Sequence, residues 1–120
     1  MKTESIPAGT ITKIGAEYRD DESGTKTKFV IYSDNGGNPG QLLAYTNEFY
    51  PQETDGWEDQ QIAYAWDGSS YVSSSTYVTT GGTLWAGYWA DGDSSLYSGC
   101  GDMRQMHSQT YSDTQPPLLN

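Results

Sequence analysis

The sequence has one cysteine and one histidine in 120 residues, and these low counts exclude an internal disulfide and a closed zinc site. Because Cys100 has no second cysteine, no disulfide can form within the chain, and the usual covalent support of small secreted domains is missing. One cysteine and one histidine also cannot complete a closed zinc site. Cys100 lies among small polar residues, which leaves two interpretations open: an inert free thiol, or a point of contact with a second chain.

Basic residues are scarce as well. Sixteen acidic residues stand against six basic ones, the formal net charge is −10, and Arg104 is the only basic residue after Lys28. This charge repels nucleic acid and anionic membrane surfaces, so the sequence predicts no nucleic-acid partner. The carboxylates indicate either a solvated surface or loops that bind calcium, although no loop has the spacing of an EF-hand. The candidate calcium ligands all lie in predicted turns and loops: Asp20, Asp21, Glu22, Asp34, Asn35, Asp91 and Asp93.

Long apolar runs and helical periodicity are also missing. No run reaches the length that spans a bilayer, and the first nine residues, MKTESIPAG, lack the hydrophobic region of a signal peptide. The sequence has instead turn residues at intervals of roughly eight to twelve residues, a spacing typical of sandwiches and barrels. Aromatic side chains, 13% of the residues, can build a core from few positions. We therefore predict one all-β domain over residues 1–120, an antiparallel β-sandwich of the jelly-roll type.

Alternation of apolar and polar residues locates the strands. The first two are expected to pair as a hairpin across a charged loop. The hydroxyl-rich segment 71–80 is expected at an edge or surface, and the apolar segment 83–90 at the centre of a sheet, covered on both faces. The predicted strands span residues 10–19, 26–33, 41–50, 57–64, 71–80 and 83–90, with a short strand at Leu96 and Tyr97.

The stretch YSDNGGNPGQLL, residues 32–43, is the most informative part of the sequence. Gly36 and Gly37 are expected to supply the positive φ angles of a tight turn after a strand. The Asn-Pro-Gly at residues 38–40 predicts a second tight turn, because proline presets φ and Gly40 can reverse the chain.

The same stretch carries a family resemblance. IYSD, then GGNPGQLLAY, then GW and LWAGYWADG follow one another between residues 8 and 97. This order resembles an uncharacterised family of bacterial and phage-associated β-sandwich domains with the pattern IYSDxGGxPGxLLA, a later GW, and a G-T-x-YW-type strand. The resemblance implies a module of large extracellular, cell-surface or virion proteins with an adhesive or architectural role. It implies no catalytic residues.

Few features of the sequence indicate an enzyme. Nucleophilic catalysis would need Cys100 or a serine with His107 as its base, yet no nucleophile elbow accompanies them. Paired carboxylates are expected by chance in so acidic a chain and therefore do not indicate a glycosidase. We predict that the chain is not an enzyme.

The first functional prediction is a structural subunit or module of an extracellular or virion assembly, such as a fibre, capsid decoration or surface layer. Its termini, residues 1–7 and 110–120, are expected to extend and pair with copies of the chain or with neighbouring subunits. The residues expected to make these contacts are Ile6, Cys100, Leu118 and Leu119.

The alternative prediction is a carbohydrate-binding module. Aromatic faces stack on sugar rings while nearby carboxylates and amides bond to hydroxyls, and the candidate residues are Tyr71, Tyr77, Tyr88 and Trp89. A competing interpretation is that most of the large aromatic side chains are needed in the core.

Overall fold

The structure, a computed structural model, describes residues 5–18, 26–50, 56–90, 95–98, 104–108 and 116. These residues form ten antiparallel strands, and no helix among them could cross a membrane. The strands are β1 (Gly9–Ile11), β2 (Lys13–Tyr18), β3 (Thr27–Asn35), β4 (Asn38–Thr46), β5 (Gly56–Trp66), β6 (Tyr71–Ser73), β7 (Tyr77–Thr79), β8 (Leu84–Ala90), β9 (Ser95–Ser98) and β10 (Arg104–Ser108). The prediction of an all-β, sandwich-like antiparallel fold is confirmed.

The described strands form two sheets. The larger has the strand order β10-β9-β8-β3-β4-β5-β2, with β6 also paired to β5, and it curls into a half-barrel. The smaller consists of β1 and β7, in which Thr10 lies opposite Val78.

The centre of the large sheet is β3, which is buried on both faces. Its alternating side chains divide as predicted: Phe29 and Ile31 enter one hydrophobic cluster, Val30 and Tyr32 the other. The central position predicted for residues 83–90 is also confirmed, because β8 pairs with β3 and β9 and contributes to both clusters. The first cluster comprises Ile14, Phe29, Ile31, Leu43, Ala44, Ile62, Leu84 and Tyr88, and the second comprises Val30, Tyr32, Leu42, Tyr45 and Trp89.

Two β-bulges shift which face of the sheet each residue occupies. On β4, Leu43 is an extra residue, because Ile31 faces Ala44 while Tyr32 faces Leu42. On β5, Ala63 is extra between Ile62 and Tyr64, which face Thr46 and Tyr45 of β4. Ile62 therefore enters the first cluster while Tyr64 packs against the second, although strict alternation would place both on one face.

The predicted hairpin between the first two strands is wrong. The one strand predicted there is two strands, β1 and β2, separated by Thr12, and β2 pairs with β5, where Lys13 lies opposite Gln61. The reason is that both edges of β3 are already occupied, one by β4 and the other by β8. β2 instead bonds the first half of the long strand β5.

The tight turn at Gly36 and Gly37 is confirmed, with φ angles of 62° and 93°. The second predicted turn is wrong, because residues 38–40 already belong to β4 and Pro39 lies opposite Asp34. Gly40 serves a different purpose: a Cβ atom there would lie 2.7 Å from the Ser33 Oγ. That oxygen accepts a hydrogen bond from the Gln41 N–H at 2.8 Å, so Gly40 allows a close approach of strands at a further irregularity in the register.

Two further segments depart in part from the prediction. Residues 71–80 divide into β6, at the edge beside β5, and β7, paired with β1, which agrees with an edge or surface position. β10 was not predicted, because residues 101–120 are polar and show no clear alternation.

Candidate functional site

An open groove of about 260 Å³ lies where the bulge of β5 meets the end of β6. Its walls combine one aromatic ring with side-chain amides and hydroxyls. The lining residues are Asn47, Gln61, Ile62, Ala63, Tyr64, Ser73, Ser74 and Ser75. Bulges often redirect side chains next to binding sites, and the Ala63 bulge brings Tyr64 to this groove.

Tyr64 is held by a row of aromatic rings. Its ring stacks on that of Tyr45, its partner on β4, with centroids 5.0 Å apart and planes inclined by 20°. Tyr45 is buried, and its ring centroid lies 6.2 Å from that of Tyr71. The Tyr71 ring in turn packs against Trp66, with centroids 4.9 Å apart. The groove therefore has a half-buried ring whose position is fixed by neighbours on three strands.

Burial raises the pKa values of two tyrosines in this row, Tyr45 and Tyr71. The pKa of Tyr45 is raised first by burial and then by the nearby hydroxyls of Tyr64 and Tyr71. The pKa of Tyr71 is also raised by burial, and its hydroxyl donates a hydrogen bond to the Leu42 carbonyl at 2.8 Å.

The polar groups of the groove are partly engaged with the backbone. The Gln61 Nε2 donates to the Ser75 carbonyl at 2.6 Å, and the Ser74 N–H donates to the Ala63 carbonyl at 2.9 Å. The Ser74 Oγ donates to the Thr76 carbonyl at 2.7 Å. These bonds fix the segment after β6 against β5. No other described residue bonds to the Gln61 side-chain amide, so its oxygen and one N–H are left for a ligand.

The turn between β5 and β6 is held by a carboxylate of its own. The Asp67 Oδ1 accepts hydrogen bonds from the Ser69 and Ser70 N–H groups, both at 2.8 Å. These bonds lower the pKa of Asp67, with Ser70 the larger contribution. This carboxylate stabilises its own turn, as Asx residues commonly do.

The predicted sugar-contacting residues separate into two pairs. Tyr71 and Tyr77 are half-buried, and Tyr77 packs against the first cluster, where burial raises its pKa. Tyr88 and Trp89 are only 4% and 2% exposed, so their prediction as stacking residues is corrected. They lie on the central strand β8, and both of its faces are covered.

Sequence reasoning missed Tyr64 and Gln61. Tyr64 appeared as one aromatic residue of an ordinary strand, and its position at the groove depends on the Ala63 bulge. No local pattern announces that bulge, so the sequence carried no signal for the site.

The calcium prediction is only partly covered by the structure. The Asp34 Oδ1 accepts a hydrogen bond from the Trp85 Nε1 at 2.9 Å, and Asn35 is exposed beside it. No group of three or more His, Cys, Asp or Glu side chains that could hold a metal occurs among the described residues. The remaining candidates, Asp20, Asp21, Glu22, Asp91 and Asp93, lie outside the described residues.

The assembly candidates give one correction. Ile6 is not free to pair with a neighbour, because its N–H and carbonyl both bond to Gly82 of the same chain at 2.9 Å, and its side chain packs against the first cluster. Near the other terminus, Pro116 is fully buried. Cys100, Leu118 and Leu119 lie outside the described residues, and His107 lies on β10.

Comparisons with known proteins found no match to the chain among family models, curated sequences or solved structures. The family resemblance seen in the sequence therefore stays a prediction.

Proposed function

We propose that the chain is a non-catalytic β-sandwich module that binds carbohydrate in the groove between β5 and β6. The observation that supports this proposal is the Tyr64 ring placed beside uncharged amide and hydroxyl groups. A sugar ring presents an apolar face to an aromatic side chain and hydroxyls to hydrogen-bonding groups. A groove of about 260 Å³ lies just below the range of about 300–1,000 Å³ common for drug-sized ligands, so it suits one sugar ring.

Preorganisation adds to the argument. Tyr64 is stacked on Tyr45, and the Gln61 amide is held by the Ser75 carbonyl, so both groups lose little conformational freedom when a ligand binds. Because an open groove encloses little of a ligand, its affinity depends mainly on groups that are already held in place before binding.

The test is a glycan array probed with the wild-type chain and with Tyr64→Ala. Loss of the stacking ring is expected to weaken binding about tenfold, since an aromatic contact contributes about 0.5–1.5 kcal/mol beyond its buried area. Tyr64→Phe keeps the ring and should retain most of the affinity. Tyr50→Ala is the matched control, because Tyr50 is 46% exposed and does not line the groove. Equal binding by wild type and Tyr64→Ala would contradict the proposal.

A structural subunit is the second candidate, and the exposed apolar side chains of β6 and β7 favour it. Val78 is 69% exposed and Val72 is 39% exposed, each on a three-residue strand. We propose that a second copy packs on Val78 of the β1–β7 sheet, which agrees with the extracellular or virion module implied by the sequence resemblance.

Light scattering after size exclusion tests this second candidate. Oligomers are expected at raised salt, which screens the net charge of −10, and Val78→Glu should return the chain to a monomer. A wild-type chain that stays monomeric at every salt and protein concentration would contradict self-assembly.

A further inference from the structure

We infer that the groove selects an uncharged glycan and discriminates against acidic ones. This inference rests on the proposed carbohydrate binding and adds the chemical class of the ligand. The groups offered by the described lining are the Tyr64 phenol, the Asn47 and Gln61 amides, and the Ser73 and Ser75 hydroxyls. The Ser74 hydroxyl is already bonded to the Thr76 backbone. Within this described lining, a carboxylate or sulfate ligand would find no charged hydrogen-bond donor, which such groups need on leaving water.

The charges near the groove do not favour an anion. Lys13 lies opposite Gln61 in the β2–β5 register, so it is the nearest cation in the pairing. Asp59, two residues from Gln61 on the same strand, is exposed and lies opposite Gly15 on β2. One cation and one carboxylate therefore flank Gln61 in the β2–β5 pair, so this part of the sheet has no excess of positive charge.

The charge of the whole chain adds repulsion. The net charge is −10, and eleven of the sixteen acidic residues follow Lys28, accompanied by Arg104 alone. Polyanions such as uronic or sulfated glycans are therefore repelled as they approach, most strongly at low ionic strength. A neutral glycan does not experience this repulsion.

Gln61 is the residue expected to set specificity. One N–H of its side chain is held by the Ser75 carbonyl at 2.6 Å, which fixes the plane of the amide. The remaining N–H and the Oε1 form a donor and acceptor pair, and two adjacent sugar hydroxyls can complement both.

The experiment measures affinity by calorimetry for matched pairs of probes: hydroxyethyl against carboxymethyl cellulose, and galactose against galacturonate oligosaccharides. We expect the uncharged member of a pair to bind at least tenfold more tightly, with an affinity that does not change with salt. Gln61→Ala should lower that affinity, and Lys13→Gln should leave it unchanged. Each variant is compared with wild type by its urea midpoint, so that a loss of folding is recognised.

Two outcomes overturn the inference, and they can be told apart. In the first, the acidic member of a pair binds more tightly, and its affinity falls when salt is added and in the Lys13→Gln variant. The groove would then bind glycans, but the inferred class of uncharged glycan would be wrong. If no glycan of either class binds on the array or by calorimetry, the proposed carbohydrate function fails as well.

Discussion

Single side chains connect strands that are far apart in the sequence. The Trp85 Nε1–H on β8 donates to the Asp34 Oδ1 at the end of β3, across 51 positions. Hydrogen bonds to charged groups contribute about 1.5–3 kcal/mol to stability. Because this one is only half-buried, we expect its contribution to lie toward the lower end of that range. It anchors the β3–β4 hairpin to the next strand of the sheet.

Replacing this indole tests its contribution. Trp85→Phe is expected to lower the free energy of unfolding by about 2 kcal/mol, since it removes the donor and part of the packing on the second cluster. Asp34→Asn is the matched variant. It keeps an acceptor oxygen without the charge, so it should lower the free energy of unfolding by less than Trp85→Phe does. Urea denaturation gives both values, and an Asp34→Asn loss as large as that of Trp85→Phe would contradict the assignment.

Strand pairs and their turns carry the next level of organisation. The β3–β4 hairpin closes through Gly36 and Gly37, both with positive φ, and a Cβ atom at either position would meet nothing within 4 Å. The need for glycine there is therefore conformational and not steric. Two-residue turns with two positive φ angles match the twist of the flanking strands and favour Asn-Gly.

The hairpin predicts an asymmetric response to mutation. Gly37→Ala should lower the free energy of unfolding by about 1–2 kcal/mol, the cost of the left-handed conformation for an alanine. Gly36→Asn should change it by only a few tenths of a kcal/mol, because asparagine tolerates φ near 60°. Thermal unfolding monitored by circular dichroism shows which of the two variants is less stable. A Gly36→Asn variant less stable than Gly37→Ala would show that the turn has another geometry.

At the scale of the whole molecule, buried and half-buried tyrosines make stability depend on pH. Burial raises the pKa of Tyr32, Tyr45, Tyr71 and Tyr77, with Tyr32 the most strongly affected and completely inaccessible to solvent. A raised pKa means that the folded state holds its proton more tightly than the unfolded chain. The stability from this difference is complete below pH 10, the ordinary pKa, and is lost as the pH rises toward the folded-state value.

Alkaline unfolding tests this dependence. Above pH 10, each tyrosine that stays protonated only in the folded state lowers stability by about 1.4 kcal/mol per pH unit. Tyr32→Phe should make the decline with pH shallower, whatever it does to stability at neutral pH. Urea midpoints between neutral pH and pH 11 measure the slopes, and identical slopes for wild type and Tyr32→Phe would contradict a protonated, buried Tyr32.

Much of the fold follows from local sequence. The two-residue period of β3 and β8 separates Phe29 from Val30 and Leu84 from Trp89, and the glycine pair marks its turn. The groove between β5 and β6 could not be predicted, because it depends on the Ala63 bulge and on β6 lying beside β5. The sites predicted at Tyr88 and Trp89 failed because a favourable residue type says nothing about which face of which strand is covered.

The sequence by itself determined the all-β class, the alternation of the central strands and the position of the glycine turn. Each of these depends on neighbours along the chain, through side-chain period and backbone sterics. The tertiary structure alone decided that β2 pairs with β5, that Ile6 bonds to Gly82 within the chain, and that Tyr64 faces the groove. Strand pairing depends on which edges the other strands leave open, and that is known only when the whole sheet is assembled.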